Sequence, residues 1–431
     1  MVPLHSRTHS ITAFKTVKTT LLPMTPARMA FVFLALALAH FFSTLIRAVT
    51  ATLAPTLSHE LGLHAHDLGL LGSGYFLGFA LMQIPLGTWL DRHGPRKVLL
   101  VLLALAVIGC LGFSWANSFT GLLLARVLCG AGVSACLMGA LTGYRNWFNT
   151  HDQLRANAWM LMIGSVGMLC ATLPVQWLVS TWGWRPLFIA IAVSLMVVMA
   201  CIYASLPPWS AVPPQNSAET GYARIWKDRQ FWRVAPLGFF GFGGLVAIQT
   251  LWASPWMVQI GGWSPVESAA GLFSINLTML LSFWIWGWIT PELHRHGITV
   301  ERLITWGVPS THIAMAWLVL QGPVTPSWIP VMLTLFCVCS TFVSLTQSHV
   351  GLCFPKHLAG RALSSYNLVI FTGVFTLQSG IGYSIDVLQD QGFSLVAAYQ
   401  WTFGTLGTCS LASWLFFVHF APAPHPDMQS A

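Results

Sequence analysis

The chain has 431 residues, 55% of them hydrophobic and only 7% charged, with 20 Lys and Arg against 12 Asp and Glu and a formal net charge of +8. A soluble domain carries roughly 25% charged residues, so this composition excludes a water-facing globule and makes the bilayer the solvent.

In chain order, the first 28 residues form a basic tail holding Arg7, Lys15, Lys18 and Arg28 without an acid. The apolar segment after them is too long for the core of a cleaved signal and reads as a retained first span. Twelve apolar stretches lie near 29–56, 68–90, 97–116, 119–142, 156–180, 186–206, 232–257, 268–290, 300–320, 328–350, 362–386 and 393–420. Most approach the ~20 residues that cross a ~30 Å hydrocarbon layer as helix. They are far longer than the roughly ten residues of a barrel strand and lack its alternation. The predicted fold is an all-α membrane protein of twelve transmembrane helices. The longest polar interruption, 207–231, holds Pro207, Pro208, Pro213 and Pro214. It divides a six-span half at 29–206 from another at 232–420, with 421–431 as a tail. An internal repeat matches that division: Phe148, Arg155-Ala156 and Gly167 recur as Phe354, Arg361-Ala362 and Gly373, each 206 residues on. Parallel six-span repeats are one of the standard transporter designs.

Lys and Arg near span ends are retained on the cytoplasmic side. With the N-terminus inside, seventeen of the 20 basic residues fall there, Arg185 falls outside, and Arg47 and Arg126 lie within spans. The chain is thus expected in the cytoplasmic (inner) membrane with both termini and the 207–231 linker cytoplasmic. Its positive charge is topological and needs no nucleic-acid partner. The nine cysteines sit in spans or at their edges, an odd number without loop pairs, which argues against a disulfide framework. Cys337 and Cys339 point to different helix faces and lack metal-site spacing. No nucleophile, base and acid set and no metal-ligand cluster stands out, so neither an enzyme nor a metal or other cofactor is expected.

Between spans 2 and 3 the sequence reads Gly87-Thr88-Trp89-Leu90-Asp91-Arg92-His93-Gly94-Pro95-Arg96-Lys97. Gly87, Asp91, Arg92, Gly94, Arg96 and Lys97 resemble the loop-2/3 signature of the major facilitator superfamily. The resemblance implies two six-helix halves rocking around a midplane site, with this loop as a gating element. Physically, the glycines allow close helix approach, and Asp91 is placed to accept from basic groups or helix N-terminal amides. The corresponding run of the second half, Gly287 to Gly297, keeps an acid and two glycines but is degenerate.

Arg47 in span 1 and Arg126 in span 4 are the two cations well inside spans, and neither span contains a carboxylate within it. A charge at membrane depth is a functional-site hypothesis by default. Arg126 opens Arg126-Val127-Leu128-Cys129-Gly130, similar to the Arg-x-x-x-Gly feature of the family's fourth helix. Facing one cavity, the two would form a divalent positive site for a carboxylate or phosphate; alternatively each bonds a neighbouring helix. All twelve acids lie at span ends, in loops or in tails, which leaves His40, His312, His349 and His419 as candidate proton carriers. In span 7, Gln249, Trp252 and Trp256 fall at i, i+3 and i+7, a substrate-lining strip or part of an aromatic belt. Asn367 and Gln378 of span 11, with Asn276 and Gln347, complete the polar candidates.

Pro174 in span 5 is followed by Val175-Gln176-Trp177, which departs from the glycine-rich motif of the family's drug antiporters. Arg47 followed by Asp67-Leu68-Gly69-Leu70-Leu71 entering span 2 looks more like its organic-anion permeases. The expectation is a functional monomer that moves a small organic anion across the lipid bilayer by alternating access. The alternatives are efflux of amphipathic compounds or a transporter-fold ligand sensor.

Overall fold

The structure is a computed structural model describing residues 25–209, 218–354 and 356–420. Most of the basic tail, the centre of the Pro-rich linker and the tail 421–431 lie outside the described residues. Among the described residues, every extended element is helical, and eleven helices are long and apolar enough to cross a membrane. The eleventh-versus-twelfth discrepancy resolves at Gly94. Helix Ala65–Trp115 has 51 residues, about 76 Å at 1.5 Å per residue, and breaks at Gly94, where φ is 77° and ψ is 162°.

Packing on the following helix shows that the chain reverses there. Gly74 lies against Leu123, and Gly78 against Val127 and Ala131, so both numberings rise together. Gly109 meets Cys129, Gly132 meets Ala106 and Gly139 meets Leu99, so there they run oppositely. The segments 65–93 and 95–115 are therefore antiparallel spans, α2 and α3. Around them lie α1 (Pro26–Leu61), α4 (Phe119–Trp147), α5 (His151–Trp182) and α6 (Trp184–Ser205). The second half comprises α7 (Arg229–Ile260), α8 (Pro265–Thr290), α9 (Val300–Gln321), α10 (Pro326–Cys353), α11 (Leu358–Asp390) and α12 (Leu395–His419). A short helix, Ala218–Trp226, sits in the linker.

Local signals account for the helix ends. Thr25 accepts from the Arg28 amide with Pro26 at the first turn, Ser118, Asn149, Asp228, Thr299 and Ser394 cap α4, α5, α7, α9 and α12 in the same way, and Gly62 ends α1 in the left-handed region at φ 62°. The repeat seen in the sequence has a structural counterpart. Gly167 of α5 lets that helix press on Phe41 O of α1, and Gly373 of α11 presses likewise on Phe239 O of α7.

The two halves are pinned together at the end bearing the α1–α2 and α11–α12 connections. The Asp386 carboxylate of α11 accepts from the Ala65 and His66 amides of α2 at 3.3 and 2.8 Å, and its Oδ2 lies 3.1 Å from His66 Nδ1. Deeper, Ser73 and Ser379 hydroxyls pair at 2.6 Å, and Gly69 lies against the Gln378 backbone. Ala51, Ala54 and Leu68 of the first half are buried in the same apolar cluster as Leu245, Ile248 and Leu251 of the second. Below these, Phe371 of α11 packs on Phe76 and Phe79 of α2 with ring centroids 6.2 and 4.6 Å apart.

Candidate functional site

The two in-span arginines meet at one aromatic residue, Tyr75. It lies on α2 in the small-residue run Gly72-Ser73-Gly74-Tyr75-Phe76-Leu77-Gly78, which lets α2 and α4 come into backbone contact: a Cβ on Gly130 would strike Tyr75 O, and one on Gly78 would strike Val127 O. That approach brings Arg126 of α4 over the Tyr75 ring at 5.3 Å. Arg126 is fully buried and donates from Nη1 to Ile46 O of α1 at 3.0 Å, while its Nε and Nη2 have no partner. Ile46 O immediately precedes Arg47, which lies between the rings of Phe79 and Phe371 at 5.6 and 5.8 Å and also neighbours Tyr75. Arg47 is partly exposed, and its buried Nε is unpartnered. Tyr75 donates its hydroxyl to Ser43 O at 3.2 Å.

Depth follows from helix length. Because α1 continues to Leu61, Arg47 sits 14 residues from its end, about 21 Å along the axis and deeper than the apolar stretch alone implied. Phe79 lies the same 14 residues into α2, at matching depth. Arg47 thus lies well inside its span, level with Phe79 and held between the Phe79 and Phe371 rings. Among the described residues, no carboxylate pairs with either. Arg126 thus spends one N–H on the backbone of a neighbouring helix, as one of the two readings expected, and its Nε and Nη2 have no partner among the described residues.

The second half contributes amides one turn further along. Asn367 is four residues before Phe371 on α11; its Oδ1 accepts from Gln347 of α10 at 3.0 Å, and both residues are partly exposed. Gln378 is instead fully buried at the pinned end, where its Nε2 donates to Ala247 O and Thr250 Oγ1, both at 3.3 Å. The span-7 residues pack within the second half, Trp252 and Trp256 sharing the Tyr399 ring of α12 at 6.3 and 5.4 Å. Gln249 donates to Asn276 of α8 at 2.8 Å, Trp252 donates to Gln378 O at 3.0 Å, and Trp256 packs edge-on against Tyr399 and Phe403 of α12. All three are buried, and their partners lie on α8, α11 and α12. Wide π-helical turns at Leu237–Phe242, Ile248–Trp252 and Trp256–Ile260 interrupt α7 on either side of these contacts.

The loop-2/3 motif lies at the opposite end from the pinned one, under the linker. Gly87, Asp91, Arg92 and Lys97 are exposed, Gly94 is buried and Arg96 lies over the Tyr203 ring at 4.5 Å. The Trp209 indole donates to Asp91 O at 3.1 Å and covers Gly94, leaving no room for a Cβ. Tyr222 of the linker helix lies beside Gly87 and reaches Ser364 and Arg361 of α11, so the linker touches both halves here. Burial pushes the Tyr222 phenol up, with the Arg361 charge opposing. Sequence reasoning missed Tyr75, Phe79 and Phe371; the glycine spacing around Tyr75 was the available signal, and for Phe371 there was none. No group of three or more metal-ligating side chains is present among the described residues.

Known proteins resemble this chain in sequence and fold. A probable sulfoacetate transporter of Cupriavidus necator is 30% identical over 190 residues, 43% of this chain and 44% of the relative. A galacturonate transporter of Dickeya chrysanthemi is 26% identical over 210 residues, 44% of this chain and 61% of the relative. A hexuronate transporter of Escherichia coli is 23% identical over 270 residues, 58% of this chain and 62% of the relative. The matches therefore span 44 to 62% of these relatives' lengths. Among solved structures, the fold is similar to a D-xylose-proton symporter, with a TM-score of 0.74 at 14% identity over 91% of this chain and 98% of that one. Residues 36–377 match the family model described as the Major Facilitator Superfamily, and the chain belongs to that family of multi-pass membrane proteins.

Proposed function

We propose that this chain is a secondary transporter that carries a small organic anion across the cytoplasmic membrane by alternating access, with Arg47 and Arg126 holding the anion. The observation that carries the reading is the pair itself: a fully buried Arg126 and a partly buried Arg47 well inside their spans, three of their N–H-bearing nitrogens unpartnered, and no carboxylate paired with them among the described residues. A buried cation without a partner is strongly disfavoured, so such a site is built for an incoming anion. Tyr75, Phe79 and Phe371 supply apolar walls, and Asn367 and Gln347 supply hydrogen bonds from the second half. The three relatives described above agree in chemical class, since sulfoacetate, galacturonate and hexuronate are all acids.

The distribution of Lys and Arg supports both termini in the cytoplasm. On that orientation the pinned end faces outward, and the present state is closed to the outside. Asp91, Arg92, Arg96 and Lys97 with Gly87 and Gly94 then form the inner gate, braced by Trp209 and Tyr222. One site per chain needs no second copy, so we take the unit to be a monomer without a nucleic-acid partner.

Isothermal titration of the purified chain against galacturonate, sulfoacetate, neutral xylose and a cationic amine tests the reading. Only the anions should bind. Arg126→Gln should weaken them by about 100-fold, since removing one member of a buried charge contact costs ~3 kcal/mol. Binding of the cation alone, or anion binding unchanged in both Arg47→Gln and Arg126→Gln, refutes it.

A further inference from the structure

We infer that the Arg47–Arg126 site makes this carrier an obligatory anion exchanger, in which one anion must bind before the protein can return after releasing another. The inference rests on the anion reading above and adds the coupling mode. Its basis is that no group among the described residues neutralises the pair. All twelve acids of the chain lie at span ends, in loops or in tails. The titratable neighbours of the two arginines are few: His40 on α1, Tyr75 on α2, Cys110 on α3 and Cys129 on α4. A proton on His40 would add a third positive charge. Tyr75 keeps its proton in the bond to Ser43 O, and the Cys110 and Cys129 sulfurs lie 3.7 Å apart with a hydrogen shared between them. Among the described residues no protein group supplies negative charge at this depth, so the substrate supplies it.

Alternating access passes through a form sealed at both ends. In that form an empty site would hold two guanidinium groups cut off from water, a penalty that falls on the barrier for empty return. An anion removes most of it, so the loaded carrier crosses and the empty one stalls. Proton-driven net uptake requires a group that is negative in the empty state, standing in for the anion beside the arginines, and gives up that charge on protonation when the anion binds. A histidine, neutral or cationic, and an arginine, cationic, are never negative.

The full chain in liposomes tests the inference with labelled galacturonate and sulfoacetate as probes. Vesicles contain either the same unlabelled anion or buffer alone, with and without an inward proton gradient. Entry into anion-loaded vesicles should exceed entry into empty ones by about 100-fold, and the proton gradient should not change the empty-vesicle rate. In Arg47→Gln, which keeps one charge, the ratio should fall toward unity even as the absolute rate drops. A merely structural role for Arg47 would lower both rates and leave the ratio intact, and that result overturns the inference. Net uptake into empty vesicles, driven by the proton gradient or not, overturns exchange while leaving anion transport standing. Binding by titration without entry in any arm also overturns exchange alone. Neither binding nor entry overturns the anion reading with it.

Discussion

Asp386→Ala should release the pinned end of the molecule. The Asp386 carboxylate holds the first turn of α2 through the Ala65 and His66 amides at 3.3 and 2.8 Å, and touches His66 Nδ1 at 3.1 Å. These are charge-assisted contacts at a helix N-terminus, where the unpaired amides and the helix dipole both favour an anion. The Asp386 side chain is 23% exposed and that of His66 is 47% exposed, so the imidazole contact is screened and adds little. The amide pair then carries the effect, about 2 kcal/mol after allowance for exposure. At 1.4 kcal/mol per factor of ten, the population open at this end should rise by about 30-fold relative to the closed one. The assay is a spin-label distance between positions 59 and 391, in a background with the nine cysteines replaced. Asp390→Ala serves as the control, because Asp390 is exposed and has no partner across the two halves among the described residues. An unchanged distance distribution in Asp386→Ala refutes the assignment of this contact as a latch.

Gly130→Ala should lower thermal stability by about 2 kcal/mol, because its Cβ would enter Tyr75 O and α2 and α4 cannot part without overpacking strain. It should also weaken anion binding by displacing Tyr75 from Arg126, whereas Gly287→Ala, which meets nothing within 4 Å, should be neutral or slightly stabilising in a thermal melt. Gly94→Ala should be destabilising on two counts, its φ of 77° and the covering Trp209 ring, by about 2 kcal/mol or more. Adding Trp209→Ala should recover only the steric part, and a double-mutant cycle by thermal denaturation separates the two. Trp252→Phe should loosen the α7–α11 contact by about 1 kcal/mol through loss of the bond to Gln378 O, read as faster hydrogen exchange at that crossing.

Twelve spans and their pairing into halves were legible because hydropathy and the 206-residue repeat are properties of the chain alone. The in-span arginines were legible for the same reason, since a charge amid apolar residues needs no structure to be noticed. Their meeting was not, because it depends on how closely α2 and α4 cross, and that is set by Gly74, Gly78 and Gly130 acting together. The Asp386 contact joins residues 320 and 321 positions apart, with no local pattern to announce it. In α7 the expectation of one polar strip assumed 100° per residue. There Gln249 bonds Asn276 of α8, while Trp252 and Trp256 both pack on Tyr399 of α12, and neither partner is announced by the local pattern of α7.

The resulting asymmetry bears on how the proposed site works. Both cations come from α1 and α4 of the first half, while α10 and α11 of the second contribute the Phe371 ring and the Gln347–Asn367 amide pair. When the halves rock, the arginines keep their spacing, because Arg126 is tied to α1 at Ile46 O. What changes is the cover over them. Phe371 touches both Phe79 and the Arg47 guanidinium, so moving α11 exchanges an apolar lid for water on one side of the charge. On the proposed reading, charge recognition is fixed within the first half, and the second half modulates how costly that charge is when left empty. That is the arrangement in which the bound anion, through its different stabilisation of the open and sealed forms, governs whether the protein moves at all.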